Sequence, residues 1–195
     1  VDVASANLSN VLVSGFGAFG ALFVRGAATW QGGGAVDNLG TGLEVWAGAA
    51  TLGNIELCRM RQGLGALEPY GAVFASGASV QSADLTVCDN DLYGMMHDGA
   101  TAQHTDLVAR GNRFAAVWVQ NSTSFGLSGA RTLLEGNGFA GVSVVDSTGV
   151  DIRDAEVRAT VSRLALVGET GSIRAADGVH LVRTVAALSD LVLRD

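Results

Sequence analysis

The chain has no lysine, a single proline at Pro69, only two cysteines and no long apolar run. Each shortage excludes something. Twelve cations, all arginine, stand against nineteen acids for a net charge of −7, so no basic surface is available to follow a phosphate backbone. Nucleic acid is excluded as a partner on that ground. Glycine, asparagine or a charged residue interrupts every apolar stretch before the ~18 residues that a membrane-spanning helix needs. Two cysteines offer no second pair at metal-binding spacing, so neither a zinc site nor any other metal centre is expected from them. What is present is 48% hydrophobic residues and 27 glycines in 195 residues, enough for one continuous core over 1–195 built from short strands and tight turns.

A repeat organises those residues. Asp84–Met95, Asp106–Val117 and Arg131–Val142 align without a gap at offsets of 22 and 25 residues, taken from the numbering itself. Asn90, Asn112 and Asn137 fall in one column, Leu92, Phe114 and Phe139 in a second, and Gly94, Ala116 and Gly141 in a third. Asn38 before Gly42 and Asn10-Val11-Leu12-Val13 before Gly20 continue the pattern, and Asp154–Val157 and Asp190–Leu193 extend it toward the end. The register cannot be fixed between Gly168 and Arg183. Repeats of this size stack as successive coils, and period-two alternation in Gly141–Val144 and Ala116–Val119 makes the segments strands. The expected fold is all-β, a single-stranded, right-handed parallel β-helix of about eight coils, roughly 40 Å long at ~4.8 Å per coil. A protruding loop is expected at about 60–70. Val1 and Asp195 supply no cap for the terminal coils, so the chain reads as cut mid-coil from a longer β-helix, or as one whose ends pack on something else.

Asn112-Arg113-Phe114-Ala115-Ala116-Val117-Trp118-Val119 and Asn137-Gly138-Phe139-Ala140-Gly141-Val142-Ser143-Val144 resemble the repeats of the pectin-lyase-like right-handed β-helix superfamily. The resemblance implies that the asparagines stack at a turn and bond along the rod. It further implies an extracellular polysaccharide as the commonest ligand class, and it implies no particular reaction.

Side chains pointing outward from the strand after each small column residue are the candidates for contact. Counting two residues beyond each glycine places Leu22, Glu44, Val73, Met96, Trp118 and Ser143 in one outward column and Trp46, Asp98 and Gln120 in the next. Glu44, Trp46, Met96, Asp98, Trp118 and Gln120 therefore form the candidate carbohydrate-binding face, with indole for a sugar ring and polar groups for its hydroxyls. The alternative occupant is another protein chain, including a second copy of this one. Catalysis has less support. Glu44 and Asp98 lie two strands and two residues apart, roughly 12 Å, beyond the ~5–9.5 Å that separates glycosidase carboxylates. Asp89 and Asp91 flank the Asn90 turn as turn formers or as calcium ligands. His97 aligns with Val119 and points inward, His104 and Asp106 have the spacing of a base and its orienting group, and Asp177-Gly178-Val179-His180 faintly matches the superfamily's polygalacturonase motif. Cys58 and Cys88 share a column at an offset of 30, about 4.8 Å apart at Cα; a disulfide and a stacked pair of thiols are both open. Two functions remain: a non-catalytic, secreted or cell-surface spacer or adhesin-like module, and a polysaccharide lyase or glycoside hydrolase.

Overall fold

A computed structural model describes residues 2–16, 22–61, 71–158 and 177–194. The described residues are all-β, without a helix. The strands are β1 (Asp2–Ser14), β2 (Leu22–Val36), β3 (Leu43–Trp46), β4 (Ala49–Cys58), β5 (Gly71–Ser76), β6 (Ser79–Cys88), β7 (Tyr93–Asp98) and β8 (Thr101–Thr105). They continue as β9 (Val108–Arg110), β10 (Ala115–Gln120), β11 (Phe125–Ser128), β12 (Thr132–Glu135), β13 (Ala140–Val145), β14 (Val150–Arg158), β15 (Asp177–Val182) and β16 (Ala186–Arg194).

Every strand pairing is parallel, and the pairings fall into three ladders. The first runs from the start of β2 through β3, β5, β7, β10, β13 and β15. The second uses the leading halves of β1, β2, β4 and β6, then β8, β11 and the leading halves of β14 and β16. The third takes the trailing halves of those long strands, with β9 and β12 inserted between β6 and β14. Between the second and third ladders the long strands are thus single stretches bent at one residue, and β1 and β2 also reach back into the first ladder. Asn10, Asn54, Asp84, Asp154 and Asp190 occupy those bends with φ near +50°. Similar corners recur at Asp37, Arg59 and Asp89 and at Ala47, Asn121, Asp146 and Arg183. Among the described residues, ten of the thirteen non-glycine residues at positive φ are Asn or Asp, whose short polar side chains make the left-handed region least costly.

Inward residues of all three ladders meet in one apolar core that includes Trp30, Leu43, Leu57, Leu85, Met95, Phe125, Leu127, Leu134 and Ile152. Burial alternates strictly along β8, whose Ala102 and His104 face in. The expected loop falls on 62–70, outside the described residues, as does most of the stretch of unfixed register. At the end of that stretch β15 joins the first ladder against β13, and beyond it β16 joins β14.

Two covalent and polar devices stitch neighbouring strands. Cys58 and Cys88 are joined by a disulfide with their Cα atoms 4.5 Å apart, which settles the choice left open by spacing. At the corner after the third ladder, Asn90 Nδ2 donates to Asn112 Oδ1 at 2.7 Å and Asn112 Nδ2 to Asn137 Oδ1 at 2.9 Å. The same oxygens accept the backbone amides of Asn90 and Asn112, and Asn90 Oδ1 accepts that of Met60. Asn38 bonds in the same manner to the Phe16 amide and the Val13 carbonyl. Met60 stands between Asn38 and Asn90 in this column, so the amide series is interrupted there and the disulfide lies two residues away.

Candidate functional site

The first ladder carries the six residues expected to touch a ligand. Its register aligns Glu44, Phe74, Met96, Trp118, Ser143 and His180 in one outward row and Trp46, Ser76, Asp98, Gln120 and Val145 in the next. Two expected members of the first row are displaced. Leu22 pairs in register with Leu43, one place before the partner of Glu44; Val73 also pairs with Leu43, so it belongs to an inward row and Phe74 holds the outward place. The difference at Val73 comes from Gly71, which precedes the small-residue column by one: Gly71 pairs with Tyr93, leaving Ala72 opposite Gly94, while Gly20 lies outside the described residues.

The face is brought together but does not form one platform. Trp46, 40% exposed, packs edge-on against Phe74 with centroids 5.2 Å apart. Trp118, three strands away and half-buried, sits in a separate group with Tyr93, Phe114 and Phe139, of which Phe114 and Phe139 stack at 4.8 Å. Its polar groups are also engaged from within. Trp46 Nε1 donates to Glu44 Oε2 at 3.2 Å, Trp118 Nε1 to Gln120 Oε1 at 3.0 Å, and Asn121 Nδ2 to Asp98 Oδ1 at 2.8 Å.

The candidate catalytic groups are dispersed. His104 and Asp106 do not act as a pair: the His104 ring points into the core, whereas the Asp106 carboxylate faces out and binds Arg131. Arg131's backbone amide and guanidinium hold the Asp106 carboxyl below the usual range, and Arg183 does the same for Asp146. Inside, Ser82 Oγ and His104 Nδ1 share a hydrogen bond at 2.7 Å, and the Nε2 atoms of His104 and His97 share another at 3.0 Å. Burial lowers the His97 pKa to about 4 and, with the neighbouring ring's charge, lowers His104 well below its usual value. Both rings are neutral at pH 7. His97 Nδ1 has no partner. Sequence reasoning placed His97 inside but missed this chain, because Ser82 lies 22 residues from His104 and only the second-ladder register brings them opposite.

Ser143 Oγ and the His180 Nδ1 are 3.0 Å apart, yet Ser143 is fully buried and no hydrogen bond joins the other His180 nitrogen to a carboxylate among the described residues. Asp91 is paired with Arg61 at 3.0 Å, and Arg61 also donates to the Asp89 carbonyl, so a cation already stands where calcium would. Among the described residues, the only close cluster of metal-ligating types is Glu56 with Cys58 and Cys88, whose sulfurs are bonded to each other.

A feature that sequence reasoning did not single out lies on the second ladder. A concavity of about 370 Å³ is lined by residues that include Gln31, Thr51, Gly53, Gln81, Asp84 and Gln103. No helix among the described residues is long and apolar enough to cross a membrane. Compared with known protein families, curated proteins and solved structures, the chain matches none.

Proposed function

We propose that the chain is a right-handed parallel β-helix module of the pectin-lyase-like type, serving as a rigid, non-catalytic spacer or adhesin-like segment of a secreted or cell-surface protein. The observation that carries this reading is the repeating parallel register, three ladders advancing together at offsets of 21 to 37 residues and tied by the asparagine column. Such an array transmits position along its length and needs no moving part. The Cys58–Cys88 bridge supports an oxidising compartment, since disulfides persist outside the reducing cytosol. The outward face of Glu44, Trp46, Met96, Asp98, Trp118 and Gln120 is the contact surface for a glycan or another protein chain.

The lyase or hydrolase reading has less behind it. Its carboxylates would have to be Glu44 and Asp98, which are two strands apart in the register and already bonded to Trp46 and Asn121. Two assays test the choice. Incubation with neutral and acidic polysaccharides, followed by reducing-end and unsaturated-product detection, is expected to show no turnover; sustained product release abolished by Glu44→Gln or Asp98→Asn overturns the non-catalytic reading. Acrylamide quenching is expected to reach Trp46 and spare Trp30, and protection of Trp46 by a glycan or a partner protein identifies the occupant of that face.

A further inference from the structure

The second ladder presents a different kind of surface from the first. In its register Gln31, Gly53, Ala83 and Thr105 form one row across four strands, and Thr51, Gln81 and Gln103 run alongside. The two smallest residues of that row are consecutive, and the concavity lies over them. Asn54 and Asp84 close its far side at the bend of β4 and β6. A Cβ on Gly53 would collide with the Gln31 carboxamide, and one on Gly126 with that of Gln103, so these glutamines lie flat across the neighbouring strand where only glycine leaves room.

Three properties restrict what fits. First, the Gln31, Gln81 and Gln103 side chains are exposed and make no hydrogen bond to a described residue, unlike Gln120 of the first ladder, which accepts from Trp118. Each offers two donors and an acceptor at fixed height above the sheet. Secondly, the lining contains one carboxylate and no cation in a chain of net charge −7, so an anionic ligand finds repulsion there and no counter-charge. Thirdly, that carboxylate is fixed. Arg131 binds both Asp84 and Asp106, and a second concavity of about 280 Å³ containing Asp84, Asp106 and Arg131 continues the first around the corner. With Arg131 saturated by two acids, Asp84 presents an oriented acceptor for hydroxyl donors.

The geometry points to this trough as a binding site for a neutral polysaccharide. Sugar hydroxyls donate and accept at once, as carboxamides and hydroxyls do, and a chain lying across the strands meets Thr51, Gln81 and Gln103 at successive steps of about 4.8 Å. The concavity falls within the range of ~300–1,000 Å³ common for ligand sites. The proposal rests on the reading of the chain as a module that contacts glycan or protein, and it assigns the glycan to the second ladder, which leaves the first-ladder face to a protein chain.

The test is isothermal titration of the full chain with gluco-, manno- and xylo-hexaose and, as the acidic counterpart, hexagalacturonate. At least one neutral hexaose is expected to bind while hexagalacturonate does not. Ala83→Arg, at an exposed position, is expected to abolish binding with an unchanged circular dichroism spectrum, and Gln81→Ala to weaken it about five- to tenfold, the loss of roughly one hydrogen bond. Binding that survives Ala83→Arg and is lost in Trp46→Ala overturns the trough and leaves the module reading standing. Absence of binding to every hexaose overturns the trough and leaves the module reading with a protein chain as its partner. Preference for hexagalacturonate refutes the charge argument, and self-association abolished by Ala83→Arg makes the trough an interface between copies instead.

Discussion

The column of Asn90, Asn112 and Asn137 and the column of Asp84 and Asp106 both cross the strands at a corner, but water reaches only the second. Each buried amide joins the next repeat by side chain and backbone together, so removing one strands donors and acceptors that no solvent can satisfy. The exposed acids are held by Arg131, whose bonds compete with hydration on both sides. Equal counts of hydrogen bonds therefore contribute unequally. Burial, and not the number of contacts, decides which corner holds the fold together and which is free to serve a ligand.

The largest expected effect tests the buried side directly. Asn112→Ala deprives the Asn90 amide and side chain of their shared acceptor and the Val87 carbonyl of a donor, and should lower stability by about 3–4 kcal/mol in urea denaturation; a loss below 1 kcal/mol would erase the contrast. The pH dependence comes next. Unfolded His97 takes up a proton near pH 6.5 and the folded ring only near 4, so between those values the unfolded state binds more protons and stability falls as the pH is lowered. The shift corresponds to about 3 kcal/mol, to which His104 adds in the same direction. A double variant His97→Val, His104→Leu, matching the inward neighbours Val119 and Leu127, should flatten the stability profile between pH 7 and 4. Asp37, Asp106 and Asp146, lowered by their arginines, contribute only in a more acidic window and should leave a residual slope there. On the exposed side, Arg131→Ala should cost far less than Asn112→Ala, and less again in high salt. The smallest change concerns Ala47, a corner residue at φ +51° without a side chain suited to it: Ala47→Gly should raise the melting temperature slightly, a gain under about 1 kcal/mol.

Much of this arrangement was legible in the residues. Offsets of 22, 25 and 30 placed Asn90, Asn112 and Asn137, and Cys58 with Cys88, in shared columns because parallel strands carry their register from one repeat to the next. The outward rows were legible only where the repeats have equal length. Before Gly71 an insertion shifts the count by one, and a one-residue slip moves a side chain to the opposite face, as happened for Val73. The bends carried a signal in Asn and Asp, yet with single-residue bends inside long strands nothing in the hydrophobic pattern marks them. The trough left no trace in periodicity, since Gln31, Thr51 and Gln81 are polar residues at ordinary outward positions. Its shape depends on glycines lying beneath glutamines one strand away, a relation between repeats that local sequence does not contain. Nor did spacing decide the cysteines, because stacked columns bring thiols close whether or not they bond.

That cystine also governs how the molecule would answer to mechanical load. Pulled by its ends, an array of this kind should peel strand by strand, each step releasing the length of one repeat. The bridge between Cys58 and Cys88 encloses 30 residues that tension cannot draw out, withholding roughly 100 Å of contour at about 3.5 Å per residue. It does so where Met60 breaks the amide series, so the gap in the asparagine column is the place that cannot be unravelled. In a force–extension trace the chain should come out short by that length, and a reducing agent should restore it.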